Sequence, residues 1–164
     1  MSVFEFVLIL ATWLCGLTAG FLFAFASVVM PGIGKLDDKA YIRAFQVIDG
    51  VIQAGQPVFG VVWLGSALAI LMAGVMAFLQ PDGILQILVC TAALAHLFGV
   101  QLPTFRINVP LNNALQSIDT DAIDEAALAA ARRAFEPRWV TWNSIRTVIA
   151  SMVSVSLMCA LLWL

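Results

Sequence analysis

The sequence predicts an all-α fold, an integral membrane four-helix bundle with two further helices at the cytoplasmic or interfacial side. Three observations carry this. The 164 residues are 62% hydrophobic and 11% charged, against roughly 45–50% and about 25% in an average soluble domain. Four stretches, 6–34, 50–81, 83–105 and 147–164, hold no Asp, Glu, Lys or Arg, and each comes close to the roughly 20 residues that cross a bilayer core. All eight Lys and Arg fall between the first and second stretches or between the third and fourth.

Taken in order, the expected spans are about 4–30, 57–79, 83–103 and 139–163, in a single domain covering 1–164. The first begins with Glu5 and no preceding Lys or Arg. Its uncharged run is longer than a signal-peptide core of about 7–15 residues, so it reads as a retained span. Pro31, Gly32 and Gly34 mark a break after it. A helix over about 37–54 is expected next, with Tyr41, Ala44, Phe45, Ile48 and Ile52 at helical spacing. Gln46, Asp49 and Gln53 make a polar stripe on another face. Pro57 marks the start of span two. Asp82 between Pro81 and Gly83 predicts a tight turn. A second connecting helix is expected over about 121–136, capped by Thr120 or Asp121. Its acids lie in the first turn, Arg132 and Arg133 in the last, and Pro137 ends it. This dipole pattern accounts for the acids, and a calcium loop is disfavoured.

The positive-inside rule puts both long connections in the cytoplasm and both termini outside, in a plasma membrane of bacterial inner-membrane type. Trp139 and Trp142 at one end of span four and Trp163 at the other read as an aromatic belt. Arg146, one turn inside, is expected to snorkel toward headgroups. Thr12, Gly16, Gly20 and Ala24 share one helix face, as do Gly65, Ala69, Ala73 and Ala77. Such faces suit close helix packing in lipid, here within the bundle, with a homo-oligomer left open.

Few residues can carry chemistry. Cys15, Cys90 and Cys159 are isolated, with no C-x-x-C to support disulfide exchange. The single histidine, His96, cannot by itself supply a metal or bis-His haem site. No metal or cofactor is therefore expected, and the lack of a basic patch with interleaved aromatics excludes nucleic acid. His96 is still an ionisable group inside a span. It is a candidate acid or base, or else a neutral histidine bonded to a neighbouring helix. The stretch "FRINVPLNNALQ" at 105–116 puts amides and a proline beside a membrane segment. Continued as a helix, it aligns Gln101, Asn108 and Asn112, although Pro103 and Pro110 predict a kink or unwinding. Trp139, Asn143 and Arg146 align on span four. These groups and the Gln46 stripe share one end of the bundle, where they could form a pocket for a planar, oxygen-bearing ligand or serve as interfacial anchors.

"AGFLFAFASVVMPGI" (19–33), "AFQVIDGVIQ" (44–53), "INVPLNNAL" (107–115) and "WVTWNSIR" (139–146) resemble the anthrone-oxygenase-like family of small four-span membrane proteins. A few fungal and bacterial members oxidise anthrones to anthraquinones with dioxygen, apparently without metal or flavin. Most have no assigned reaction. By motif the resemblance points to Gln46, Asn108, Pro110, Asn112, Trp142, Asn143 and Arg146, with Asp49 a departure where Asn is expected. It implies a cofactor-free oxygenase of a phenolic carbon acid. In that reading His96 or Asp49 is the base, and Asn108, Asn112, Asn143 and Arg146 stabilise an enolate. Gln46, Gln101, Trp139 and Trp142 line the substrate. The alternative is a non-catalytic membrane protein that binds a lipid, a quinone or a protein partner. A channel would need oligomerisation to form a pore.

Overall fold

A computed structural model describes residues 1–80 and 83–164. The turn expected around Pro81 and Asp82 lies outside the described residues. Among the described residues five helices follow one another: α1 Val3–Ile33, α2 Asp38–Gln53, α3 Pro57–Phe78, α4 Gly83–Gln116 and α5 Glu125–Leu161. All but α2 are long and apolar enough to cross a membrane. The chain is an integral membrane helical bundle.

α1 starts from a capping box in which Ser2 and Glu5 satisfy each other's backbone N–H groups. α1 packs on α3 and α5, and α4 packs on the same two, so the four long helices form a square. At the end holding the chain termini the core is aliphatic, with Leu8, Ile70, Val89 and Leu157 at 0% exposure. Small residues set the helix spacing. A Cβ on Gly74 would stand 3.0 Å from the Ala93 Cβ, and one on Gly99 would lie 2.9 Å from two Ile149 side-chain carbons. Of the two expected small-residue faces, Ala69, Ala73 and Ala77 are buried in the bundle. The Thr12, Gly16, Gly20 and Ala24 face is buried only at Thr12. Gly20 and Ala24 are exposed, and α1 instead packs through Leu8, Ala11, Cys15 and Leu22.

At the other end α2 lies across the bundle. Tyr41, Ile42 and Phe45 bury against Phe135 and Trp139 of α5 and Leu115 of α4. Arg132 fastens the junction. Its Nε donates to Glu136 (2.7 Å), Nη1 to Asp38 (3.1 Å) and the Leu36 carbonyl (2.8 Å), and Nη2 to the Gly34 carbonyl (2.8 Å). Its guanidinium also sits 4.3 Å from the Tyr41 ring centre. Asp121, between α4 and α5, accepts from Lys39 at 2.8 Å and pairs with Arg43.

Three expected helix ends are absent. α1 continues through Pro31 to Ile33, α4 continues through Pro103 and Pro110 to Gln116, and α5 runs unbroken through Pro137. The separate helix over 121–136 and span over 139–163 are thus one helix. It is capped by Asp124, which accepts from the Ala127 N–H at 2.8 Å, and not by Thr120 or Asp121. In α5 the carbonyl deprived of its partner by Pro137 belongs to Arg133, on an exposed side. Phe135 and Trp139, stacked 6.1 Å apart, hold the helix on both sides of the proline. The other three prolines share one solution. π-helical turns at Phe25–Val29, Leu97–Gln101 and Thr104–Asn108 each close with an N–H bonded five residues back, and the next residue but one after each turn is Pro31, Pro103 or Pro110. The wider turn relieves the clash between a proline ring and the carbonyl four residues earlier, so the helix bulges where it would otherwise break.

Candidate functional site

The bulges shape a cavity of about 280 Å³ between α1, α2, the start of α3, the π-turn of α4 and α5. Its walls are aromatic. Phe21 and Phe25 come from α1, Phe45 from α2, and Phe59 and Trp63 from α3, stacked at 5.5 Å and 17°. Trp139 comes from α5, its ring centre 5.5 Å from Phe45 and 5.7 Å from Phe25. Trp139 is only 4% exposed, so it is a wall of the cavity and not part of a lipid-facing belt.

Polar groups are set into these walls. Asn112 accepts from Trp139 Nε1 at 2.7 Å and donates to Asp49 Oδ1 at 2.8 Å. Asp49 is 4% exposed, and its Oδ2 takes further amide donors from Gln53 (2.7 Å) and Gln116 (3.1 Å). It has no cation within salt-bridge distance among the described residues. Elsewhere in the lining Arg146, at 3% exposure, donates to Thr104 Oγ1 (2.6 Å) and Asn143 Oδ1 (2.9 Å). Asn143 in turn donates to the Leu22 carbonyl at 3.2 Å. The expected snorkelling does not occur, because the amide and hydroxyl acceptors inside the bundle take the guanidinium's donors.

Two buried polar atoms in this lining lack a partner: the Arg146 Nε–H donor and the Asn108 Oδ1 acceptor. Asn108 Nδ2 reaches the Trp139 carbonyl at 3.4 Å. Buried polar groups are almost always satisfied. An orphan donor and an orphan acceptor in one cavity, with a carboxylate and a guanidinium that are in no ion pair among the described residues, suit a ligand with complementary polar edges.

The structure brings Asp49, Asn108, Asn112, Trp139, Asn143 and Arg146 to this cavity. Four other sequence candidates lie elsewhere. Gln46 faces away, donating to the Leu115 and Ile118 carbonyls at 2.9 Å each. Trp142 is half-buried outside the lining. His96, at 0% exposure, sits deeper in the bundle, with Cys15 Sγ 4.0 Å from Nδ1 and Ser66 Oγ 3.3 Å from Nε2. Gln101 Nε2 lies 3.2 Å from His96 Nε2 and 3.4 Å from the Trp63 carbonyl, outside the cavity lining. Residues five apart diverge on an α-helix, and the π-turn between them brings His96 and Gln101 together. Thr104 and the phenylalanine walls were not anticipated. Thr104 has one usable signal, its place four residues before Asn108. Among the described residues no three His, Cys, Asp or Glu cluster as metal ligands.

The fold and cavity define a membrane helical bundle with a buried, aromatic-walled and amide-lined site. A sequence profile of the anthrone oxygenase family matches residues 49–156, and the chain belongs to that family. The match starts at Asp49 and takes in every cavity residue from α3, α4 and α5. No match was found among curated proteins or solved structures.

Proposed function

We propose that this cavity binds a planar phenolic carbon acid of the anthrone type and that the protein oxygenates it. The observation that carries the reading is the unpaired Nε–H of Arg146 in a cavity of aromatic rings and amides. Asp49, the one candidate base in the lining, would take a proton from the ring methylene. The charge moved to the ligand oxygen would meet the Arg146 donor, already in place and shielded from water. Asn108 Oδ1 would accept a ligand hydroxyl, and Trp139 and Trp63 would hold the ring plane. Dioxygen adds to the carbanion carbon, which supplies the electron pair, and the hydroperoxide loses water to leave a carbonyl. The balance is one methylene and one dioxygen to one ketone and one water.

The test is oxygen uptake with an anthrone by the purified protein in lipid, beside the Asn108→Ala, Arg146→Ala double variant. Uptake above the spontaneous rate that the double variant loses supports the reading. Equal rates overturn it. Binding without uptake would favour the alternative, a protein that holds a quinone or lipid without chemistry. For orientation, the distribution of Lys and Arg supports placing both long connections in the cytoplasm and both termini outside.

A further inference from the structure

The cavity opens on one side. The lining contributed by α5, namely Trp139, Asn143 and Arg146, is buried, as is Leu22 of α1. Gln53 at the end of α2 and Phe105 in the π-turn of α4 line the same cavity yet are exposed, Phe105 to 55%. The mouth therefore lies between the end of α2, the first turn of α3 and the turn Thr104–Asn108. The outer surface around it is apolar: Val51 is 57% exposed, Val58 66% and Leu102 45%. Both α3 and α4 belong to the set of helices able to cross a membrane. Such a rim would be an apolar patch in water, whereas in a bilayer it meets acyl chains.

The mouth also carries polar groups. Gln53 donates to Asn113 Oδ1 at 3.3 Å. Arg106, exposed beside Phe105, has the length to reach headgroups while its stem stays in hydrocarbon. Together these features set the mouth at the boundary between acyl chains and headgroups. We propose that the ligand reaches the cavity sideways from the bilayer, over Phe105. The ligands admitted are uncharged and bilayer-soluble, since the route offers no water to a charged one. The inference rests on the reading above only in taking this cavity as the binding site, and not on the oxygenation.

The first test uses Phe105→Trp, which the exposed position accommodates, in phosphatidylcholine vesicles with brominated acyl chains. The emission that the variant adds to that of the wild type is expected to be quenched by the brominated chains and spared by iodide in the water. The reverse pattern overturns the proposal. The second test follows capture of vesicle-borne anthraquinone by stopped-flow tryptophan quenching. Phe105→Ala is expected to speed capture and Phe105→Trp to slow it, by up to about tenfold. Unchanged rates, or no capture at all, overturn the proposal. Neither test needs turnover, so lateral capture without oxygen consumption would sink the oxygenase reading and leave the bilayer route standing.

Discussion

Replacing Arg146 by Met separates a charge kept for a ligand from one kept for the fold. The two side chains are of similar length, and Met is apolar and adaptable. The variant removes two hydrogen bonds, to Thr104 Oγ1 and Asn143 Oδ1. Thr104 keeps its own bond to the Val100 carbonyl at 2.7 Å, and Asn143 still donates to the Leu22 carbonyl. The loss is then mainly one unpaired Asn143 oxygen, about 1 kcal/mol or somewhat more. Against it stands the removal of a buried guanidinium with no carboxylate partner, and replacing buried charges by apolar groups is neutral or stabilising by about 1–4 kcal/mol. The net expectation runs from a loss of about 1 kcal/mol to a gain of roughly 3 kcal/mol. Ligand affinity should fall at least about tenfold, or 1.4 kcal/mol. SDS-titrated unfolding in mixed micelles reads the first quantity, and quenching of the wall tryptophans by anthraquinone reads the second. A destabilisation of about 3 kcal/mol or more with affinity intact would refute the reasoning, because Arg146 would then be a structural bond.

Gly99→Ala is expected to cost about 1–3 kcal/mol by forcing a Cβ against Ile149, and Ile149→Ala in the same chain should cancel most of the clash, which a double-mutant cycle in micelles measures. His96→Leu should lower stability by no more than about 1 kcal/mol, because Ser66 Oγ and Gln101 Nε2 each keep the Trp63 carbonyl as a partner. It should leave anthraquinone affinity within about twofold, and a larger loss by titration would bring His96 back into the site. Asp121 is held below its ordinary value of 3.8, first by its hydrogen bond to Lys39 and also by the charge of Arg43. A depressed carboxylate contributes its stability above the unfolded value and loses it as pH falls through the folded one. Protection factors for amide exchange in α2 should therefore fall below about pH 4 in the wild type, and Asp121→Asn should show the lower protection already at pH 6.

The four spans were legible because hydropathy and length alone decide what crosses a bilayer. Asn108, Asn112, Asn143 and Arg146 were legible because amides and a guanidinium repeated at helical spacing, and the topology put them at one end. The continuity of α1, α4 and α5 was not. A proline announces the loss of one bond and a clash, while the π-turn that absorbs them leaves no mark in hydropathy. The aromatic walls were hidden for a related reason. Phe21 lines the cavity and Phe23 is 58% exposed, yet in an apolar run a phenylalanine facing a ligand reads like one facing lipid. Gln46 and Asp49 sit on one polar stripe, and only the position of α4 decides that Asp49 faces inward while Gln46 ties to carbonyls. His96 was ambiguous because Cys15, Ser66 and Gln101, which surround it, come from three separate parts of the sequence.

A single-turnover reaction with ¹⁸O₂ and an anthrone in proteoliposomes tests the central claim most directly. The wild type should place one ¹⁸O in the new ketone and one in water, faster than the spontaneous reaction, and folded Arg146→Met should fall to the spontaneous rate. Equal rates for the wild type, the variant and protein-free vesicles would contradict the account.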